Sequence, residues 1–321
     1  MPIIRQLEQL PAAARGGAVA IGNFDGVHLG HRHIVDQLLR RAEEVGGPPI
    51  VFTFDPHPVR ILRPEHCPPP LTWTTRKAEL LAGLGVFKIV AYPTDEALLS
   101  LSAAEFFQKI VIDALDAKAM VEGPNFYFGK NREGTTDKLR ELTTAAGMSL
   151  DVVEPVEDEG ELVSSSRIRA LITEGQVAAA TRLLDAPYRI RGMVTHGAGR
   201  GAKLGFPTAN LEAIDTLVPA QGVYAGRARV ENGSGQNANR PSWHAAAVNL
   251  GPNPTFGESQ TKTEVHLLDH NDALYGKPME VEFLKRLRPI ERFDSQEALV
   301  EQLKKDIEQT REVVIAAKPQ A

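Results

Sequence analysis

Apolar residues in the first half of the chain fall into short runs that alternate with longer segments of helical period. Four runs predict buried strands, at residues 18–21, 50–54, 87–91 and 117–122. Three intervening segments have the spacing of helices with one core face, at residues 34–45, 76–84 and 103–115. Strands separated by helices predict a parallel sheet covered on both faces.

The pattern changes near residue 186. A helical stretch at residues 167–184, broken at Gly175, ends at Ala186-Pro187. Short alternating runs then predict an antiparallel barrel or sandwich, with strands at residues 188–194, 222–230, 245–249, 263–268 and 279–287. We therefore expect two domains, residues 1–186 and 187–321, and a fold class of α/β plus β.

Two segments of the second half fall outside this strand pattern. Residues 231–241 are rich in Gly, Asn and Ser, which predicts a long hairpin loop without chemistry. The tail predicts a helix over residues 294–310, with Asp294 as the cap and Glu297 at the third position of a capping box. Its apolar stripe consists of Leu299, Leu303 and Ile307.

Length and composition restrict the function classes. A chain of 321 residues fits two domains of about 150 residues each. The net charge of −5 gives no general attraction to nucleic acid or to anionic lipid. Cys67 is the only cysteine, which excludes an intramolecular disulfide and favours a reducing compartment. No apolar stretch reaches about eighteen residues, so we expect a cytoplasmic protein that binds neither nucleic acid nor membrane.

The first candidate site follows the first predicted strand, at the sheet edge where α/β proteins usually bind ligands. Its glycines allow the backbone to approach a ligand, and the start of the next helix favours an anion. Two histidines three residues apart would face that anion and can donate hydrogen bonds to phosphate oxygens. The alternatives are a surface pair or half of a zinc site, but zinc would need further ligands. The segment reads Gly22-Asn23-Phe24-Asp25-Gly26-Val27-His28-Leu29-Gly30-His31.

This segment resembles the signature of the HxGH nucleotidyltransferase superfamily. With three later segments it resembles, more narrowly, the bacterial bifunctional riboflavin kinase/FAD synthetases. The resemblance implies an N-terminal Rossmann-like HxGH nucleotidyltransferase domain, a C-terminal antiparallel β-barrel riboflavin kinase domain and a terminal helix. The later segments are Thr53-Phe54-Asp55-Pro56-His57-Pro58, Gly123-Pro124-Asn125-Phe126-Tyr127-Phe128-Gly129 and Val163-Ser164-Ser165-Ser166-Arg167-Ile168-Arg169.

The resemblance implies that the phosphate of FMN attacks the α-phosphorus of ATP and gives FAD and pyrophosphate. It implies catalytic roles for His28, His31, Ser164, Ser165 and Arg169. It also implies ATP or flavin contacts for Gly22, Asn23, Phe24, Gly30, Phe54, Pro56, His57, Asn125 and Arg167. From the residues alone, Pro56-His57-Pro58 could be a turn and Ser164-Ser165-Ser166 a helix N-cap. Asn125 stands where related sequences often carry an acidic residue, and asparagine keeps a hydrogen-bond acceptor but lacks the charge.

A second candidate site is the glycine-rich segment at residues 196–210. It lacks the spacing of a Walker A loop and of GxGxxG, and its glycines alone favour a flexible connection. Gly205-Phe206-Pro207-Thr208-Ala209-Asn210, however, resembles the PTAN motif of riboflavin kinases. The resemblance implies that Thr208 and Asn210 hold Mg²⁺ and ATP phosphates, and oxygen ligands suit such a hard cation. It implies further ligand contacts for Gly199, Arg200, Gly205, Phe206 and Pro207.

Residues 251–256 and 263–266 resemble further parts of the riboflavin kinase pattern. Glu264 and His266 share one face of the predicted strand, and the period alone favours a solvent-facing carboxylate for Glu264. The resemblance implies instead that Glu264 is the general base for attack of the riboflavin 5′-hydroxyl on the γ-phosphate. Arg288 and the tail helix could contact flavin or serve domain packing.

The expected cofactor is Mg²⁺, and the expected substrates are ATP, riboflavin and FMN. We expect a monomer or a weak homo-oligomer. Two other functions compete with the bifunctional enzyme. One is an adenylyltransferase for another small phosphate ester, and the other is a flavin-binding regulator without turnover.

Overall fold

The chain packs as two compact units. The computed structural model describes residues 3–197, 199–230, 242–253, 255, 261–270 and 274–317. The first unit comprises Met1–Pro68 and Thr72–Ser165, and the second comprises Pro69–Leu71 and Ser166–Ala321. Packing therefore divides the chain earlier than residues 186 and 187. The hairpin loop predicted at residues 231–241 lies outside the described residues.

The first unit contains a six-stranded parallel sheet, in the order β1-β4-β3-β2-β5-β6. The order reverses direction between β2 and β5, which is the switch point where α/β sheets bind ligands. The predicted parallel sheet is confirmed, although β1 and β6 at its edges were not predicted. The strands are β1 Ile3–Ile4, β2 Ala18–Ile21, β3 Pro49–Phe54, β4 Lys88–Tyr92, β5 Ala119–Glu122 and β6 Ser149–Val152.

Helices cover both faces of this sheet. Side chains of β3 alternate between two apolar clusters, with Ile50 and Phe52 in one and Val51 in the other. The predicted helix at residues 103–115 exists, but it continues after its first turn as a π-helix, Phe107–Ala114. A short hairpin, β7 Glu157–Asp158 and β8 Glu161–Leu162, precedes the end of the unit. The helices are α1 Leu29–Glu44, α2 Pro58–Leu62, α3 Thr74–Gly83, α4 Glu96–Ser100, α5 Ala103–Phe106 and α6 Thr136–Ala145.

The second unit is built on a closed antiparallel barrel, in the order β10-β13-β12-β11-β14-β9. Its interior is filled by fully buried side chains such as Tyr224, Val248 and Phe283. The barrel is confirmed, and β10 is the one strand that the pattern did not predict. The strands are β9 Tyr188–Thr195, β10 Ala209–Glu212, β11 Gly222–Val230, β12 His244–Gly251, β13 Lys262–Leu267 and β14 Pro278–Arg288.

In the described residues, four helices accompany the barrel: α7 Ser165–Thr173, α8 Val177–Leu184, α9 Arg200–Lys203 and α10 Gln296–Ala316. The prediction of Asp294 as the cap of α10 is wrong, because the Ser295 side chain accepts the hydrogen bond from the Ala298 N–H. This cap puts Ala298 at the third helical position, so Glu297 forms no capping box. None of the helices in the described residues has the length and apolar character that a bilayer crossing requires.

Candidate active sites

The loop between β2 and α1 has a strained backbone. Phe24 and Val27 both have φ of 46°, a left-handed conformation that is costly for a β-branched residue such as valine. Asp25 secures the loop, since its Oδ1 accepts hydrogen bonds from the Thr72 N–H at 3.1 Å and the Thr72 hydroxyl at 3.2 Å. The Ser165 hydroxyl donates to the Asp25 carbonyl oxygen at 2.9 Å. Strain held by such contacts is typical of ligand sites.

His28 and His31 meet at the start of α1. Their rings stack with centroids 3.7 Å apart, and the Phe24 ring lies 5.0 Å from the His31 ring. His28 is the N-cap, because its Nδ1 accepts a hydrogen bond of 3.4 Å from the His31 N–H. A Cβ at Gly30 would lie 3.2 Å from the His28 ring, so this position favours glycine. The predicted histidine pair is therefore one compact cluster.

In the part of the chain that the structure describes, two buried polar atoms of the loop and the helix start lack a partner. Among the described residues, the buried His31 Nδ1 and the buried Asn23 Oδ1 have no hydrogen-bond partner. Burial lowers the pKa of His31 well below its usual value, and the nearby His28 and Lys77 lower it further. A neutral imidazole donates from one nitrogen and accepts at the other. Unpaired buried polar groups need a partner, and a ligand at this loop would supply one.

The other predicted residues of the first site occupy the ends of neighbouring strands. Phe54 ends β3 and packs against Phe52. His57 caps α2, where its Nδ1 accepts a hydrogen bond of 3.1 Å from the Val59 N–H, and Pro56 follows a cis peptide bond. Asn125 is exposed in the loop after β5. These positions share the carboxyl edge of the sheet with β2 and the histidine pair.

The predicted serine–arginine segment forms the start of α7. Ser164 precedes the helix and Ser165 is its first residue. Arg167 and Arg169 are partly buried and belong to the second unit by packing. The Arg169 Nε donates to the Pro69 carbonyl oxygen at 2.9 Å. Phosphate contacts of both arginines stay a prediction.

A cavity lies between the barrel and α10. Its apolar side includes the predicted stripe of α10, namely Leu299, Leu303 and Ile307. Its polar side includes side chains of β10, β12 and β13, among them Asn210, Asn249 and Glu264. Seven residues predicted for the second site line it: Gly199, Arg200, Phe206, Thr208, Asn210, Glu264 and Arg288.

Glu264 is the centre of a polar cluster at this cavity. It lies between Asn210 on β10 and Asn249 on β12 in the barrel register. The Asn253 Nδ2 donates to its Oε2 at 3.0 Å, and the Asn249 Nδ2 donates to the same oxygen at 3.4 Å. The sequence analysis missed Asn249 as a site residue. Its alternation with the buried Val248 and Leu250 was the available signal.

The glycine-rich segment packs closely against the Thr208-Ala209-Asn210 strand. A Cβ on Gly197 would lie 1.9 Å from the Asn210 Nδ2, and one on Gly201 would lie 2.3 Å from the Phe206 carbonyl oxygen. The Pro207 carbonyl oxygen accepts a hydrogen bond of 2.7 Å from the His266 Nδ1. These contacts favour a closely packed segment over a flexible connection.

Arg288 connects β14 to α10. Its Nε donates to Oδ1 of Asp306 at 3.0 Å, and its Nη2 donates to Oδ2 at 2.7 Å. Asp306 is buried and also accepts from the Gln302 side chain at 2.9 Å. Arg288 thus takes part in packing and lines the cavity as well.

Comparison with known proteins gives a family match for each half of the chain. Residues 10–167 match the model of the FAD synthetase family, and residues 184–314 match the riboflavin kinase family. Proteins named bifunctional riboflavin kinase/FMN adenylyltransferase match nearly the full length. The one from Pseudomonas fluorescens is 37% identical over 312 residues, which is 97% of both chains. The one from Escherichia coli K12 is 32% identical and covers 99% of this chain and 100% of its own.

The chain belongs to the bifunctional riboflavin kinase/FMN adenylyltransferase family. Its members carry both activities, so the prediction of riboflavin kinase and FMN adenylyltransferase is confirmed. The competing adenylyltransferase for another ester and the regulator without turnover are therefore not retained. Riboflavin, FMN and ATP are its substrates.

A solved structure shares the fold of this bifunctional family member. It comes from Streptococcus pneumoniae, is described as a macrolide-efflux protein and is 33% identical in sequence. The TM-score is 0.82, over 97% of this chain and 98% of the other. The architecture of both halves is therefore common to the two proteins.

Proposed function

We propose that residues 22–31 bind the triphosphate of ATP for adenylylation of FMN, with His28 and His31 as hydrogen-bond donors. The stacked histidine pair at the N-terminus of α1 carries this proposal. The helix start provides backbone N–H groups and a positive dipole end, which favour phosphate. Gly22, Asn23, Phe24 and Gly30 shape the loop.

Catalysis at this site depends on alignment. An oxygen of the FMN phosphate forms a bond to the α-phosphorus, and the bond between that phosphorus and the bridging oxygen breaks to release pyrophosphate. The attacking phosphate of FMN and the leaving pyrophosphate both carry negative charge. The protein therefore needs no nucleophile of its own, and it needs hydrogen-bond donors placed where charge develops on the transferred phosphoryl group. His28 and His31 would supply these donors. In our proposal Ser164, Ser165, Arg167 and Arg169 hold the outer phosphates, and Phe54, Pro56, His57 and Asn125 border the flavin and nucleotide.

In the second unit we propose Glu264 as the general base of riboflavin phosphorylation. A carboxylate can accept the proton of the 5′-hydroxyl as this oxygen attacks the γ-phosphorus. The amide donors of Asn249 and Asn253 orient this carboxylate. The loop residues Gly199, Arg200, Gly205, Phe206 and Pro207 would enclose ATP, with Arg288 at the flavin side.

Thr208 and Asn210 fit Mg²⁺. They offer a hydroxyl and an amide oxygen at the cavity wall, and hard cations prefer such ligands. The described residues contain no cluster of three or more His, Cys, Asp and Glu suited to a metal ion, so ATP phosphates would complete the coordination. Bound there, Mg²⁺ would neutralise charge on the transferred phosphoryl group.

The remaining proposals concern the whole chain. We propose residues 1–186 for adenylylation and residues 187–321 for the kinase, in a cytoplasmic monomer or weak homo-oligomer without nucleic-acid or membrane partners. The net charge of −5 and the single cysteine support this setting. Sedimentation across a concentration series tests the oligomeric state.

Product analysis tests the assignment of the two sites. The purified chain is incubated with riboflavin, ATP and Mg²⁺, and the flavins are separated. FMN and FAD should both form in the parent. Loss of FAD alone in His28→Ala and loss of FMN formation in Glu264→Gln support the assignment, whereas unchanged products in either variant contradict it.

A further inference from the structure

Lys77 is a buried cation close to the loop of residues 22–31, the proposed ATP site. It lies on α3, and 8% of the residue is exposed. Within the described residues its Nζ makes one hydrogen bond, 3.3 Å from the Thr53 Oγ1, and no ion pair. Lysine is almost never fully buried without a partner. A buried ammonium that has no hydrogen-bonded carboxylate within the described residues therefore needs an explanation.

Thr53 connects Lys77 to the loop. It is fully buried near the carboxyl end of β3, and its hydroxyl donates to the Asn23 carbonyl oxygen at 3.1 Å. The single hydroxyl proton is used in that bond, so the oxygen accepts from the ammonium of Lys77. The two hydrogen bonds form a relay from Lys77 through Thr53 to Asn23. Asn23 directly precedes Phe24, where the backbone adopts its left-handed conformation.

The charge of Lys77 also reaches the histidine pair. Burial lowers the pKa of Lys77, while the carboxylates of Asp25 and Asp55 raise it. Lys77 in turn helps to lower the pKa of His31. Burial disfavours a charge that has no close partner, and an anionic ligand at the loop would offset this cost.

We propose that Lys77 is a positioning residue for adenylyl transfer: through Thr53 it fixes the backbone at Asn23, and its ammonium attracts the ATP phosphates to residues 22–31. The proposal rests on the proposed phosphate role of His28 and His31. A purely structural lysine at this place would stabilise the unit. A lysine that serves function would instead lower the stability of the unit, because its charge is buried.

The test uses Lys77→Met, Thr53→Val and the double variant, with the exposed Lys109→Met as the matched control. FAD formation from FMN and ATP is measured with the thermal unfolding temperature, and riboflavin phosphorylation by the same chain reports the active fraction. We expect Lys77→Met to lower kcat/KM of FAD formation about tenfold or more, as for other lost electrostatic contacts. Its kinase activity should be kept, and its unfolding temperature should be unchanged or higher.

The double variant tests the relay. Residues that act through one another are not additive, so the double variant should lose no more FAD formation than Lys77→Met. The proposal is overturned if the losses of the two single variants add fully in the double variant. It is also overturned if Lys77→Met forms FAD within about twofold of the parent rate. A lower unfolding temperature with equal loss of both activities also overturns it. A His28→Ala variant separates the two claims, because its normal FAD formation would remove the proposed phosphate site itself.

Discussion

The Asn253 side chain, two residues after the end of β12, donates a hydrogen bond of 3.0 Å to the Glu264 carboxylate. The Asn253 amide binds Oε2 of Glu264 and not Oε1, and this contact fixes the orientation of the carboxylate. A general base needs a fixed carboxylate within reach of the hydroxyl proton. This hydrogen bond therefore connects Asn253, to which the sequence analysis gave no role, with the proposed proton acceptor Glu264.

Glu264→Gln should lower the kcat of riboflavin phosphorylation by about a hundredfold, because the amide cannot accept the proton. ATP and riboflavin binding should be kept, since the side-chain shape is unchanged. Steady-state FMN formation and calorimetry of ATP binding measure the two effects. Glu212→Gln on the exposed side of β10 is the matched control. Equal kcat in the two variants would reassign the base.

Asn253→Ala should lower kinase kcat less, about tenfold, because it frees the Glu264 carboxylate without removing it. In a Glu264→Gln background the same change should have little further effect. A double-mutant cycle on FMN formation measures this coupling. Independent, multiplicative losses would mean that Asn253 does not act through Glu264.

Gly197→Ala should impair the kinase, since the added methyl would lie 1.9 Å from the Asn210 Nδ2 and displace it. We expect the KM for ATP to rise about tenfold or more, while FMN adenylylation is kept. Gly83→Ala, where a Cβ meets nothing within 4 Å, is the control. An unchanged KM for ATP in Gly197→Ala would remove Asn210 from the ATP site.

A pH dependence follows from Arg41 and Asp151, which form a bidentate pair with both distances at 2.7 Å. The hydrogen bonds from Arg41 lower the pKa of Asp151 in the folded chain. A lowered folded pKa stabilises the fold above the unfolded pKa, and this stability is lost as pH falls through the folded value. Asp151→Asn should unfold at lower temperature near pH 7, and its difference from the parent should shrink in acid. Asp36→Asn on α1 is the control, and a pH-independent difference contradicts the account.

The sequence predicted the core of both units because burial leaves a clear pattern. Strands β2 to β5 are apolar on both faces, which gives continuous hydrophobic runs. β1 has two residues, β6 is partly exposed, and β10 alternates through Asn210, so each lacks such a run. Asp294 and Ser295 are both good N-caps, so residue type alone could not decide between them, and the structure shows Ser295 as the cap.

The candidate residues came from residue type and spacing at the first site and from the family resemblance at the second. His28 and His31 lie on one helix turn, and Thr208, Asn210 and Glu264 stand in recognisable segments. Asn253 and Lys77 received no role from the sequence, because the contacts that support their proposed roles join residues distant in sequence. Lys77 stands in an amphipathic helix, where a lysine is normally exposed, and only packing against Thr53 reveals its burial.

The most direct test of the account is the rate of FAD formation from FMN and ATP in His28→Ala. Loss of one donor to the transferred phosphoryl group costs about a hundredfold in kcat. We predict that loss with riboflavin phosphorylation unchanged, and normal rates in His33→Ala on the same helix. FAD formation at the parent rate in His28→Ala, or an equal loss of both activities, would contradict the assignment.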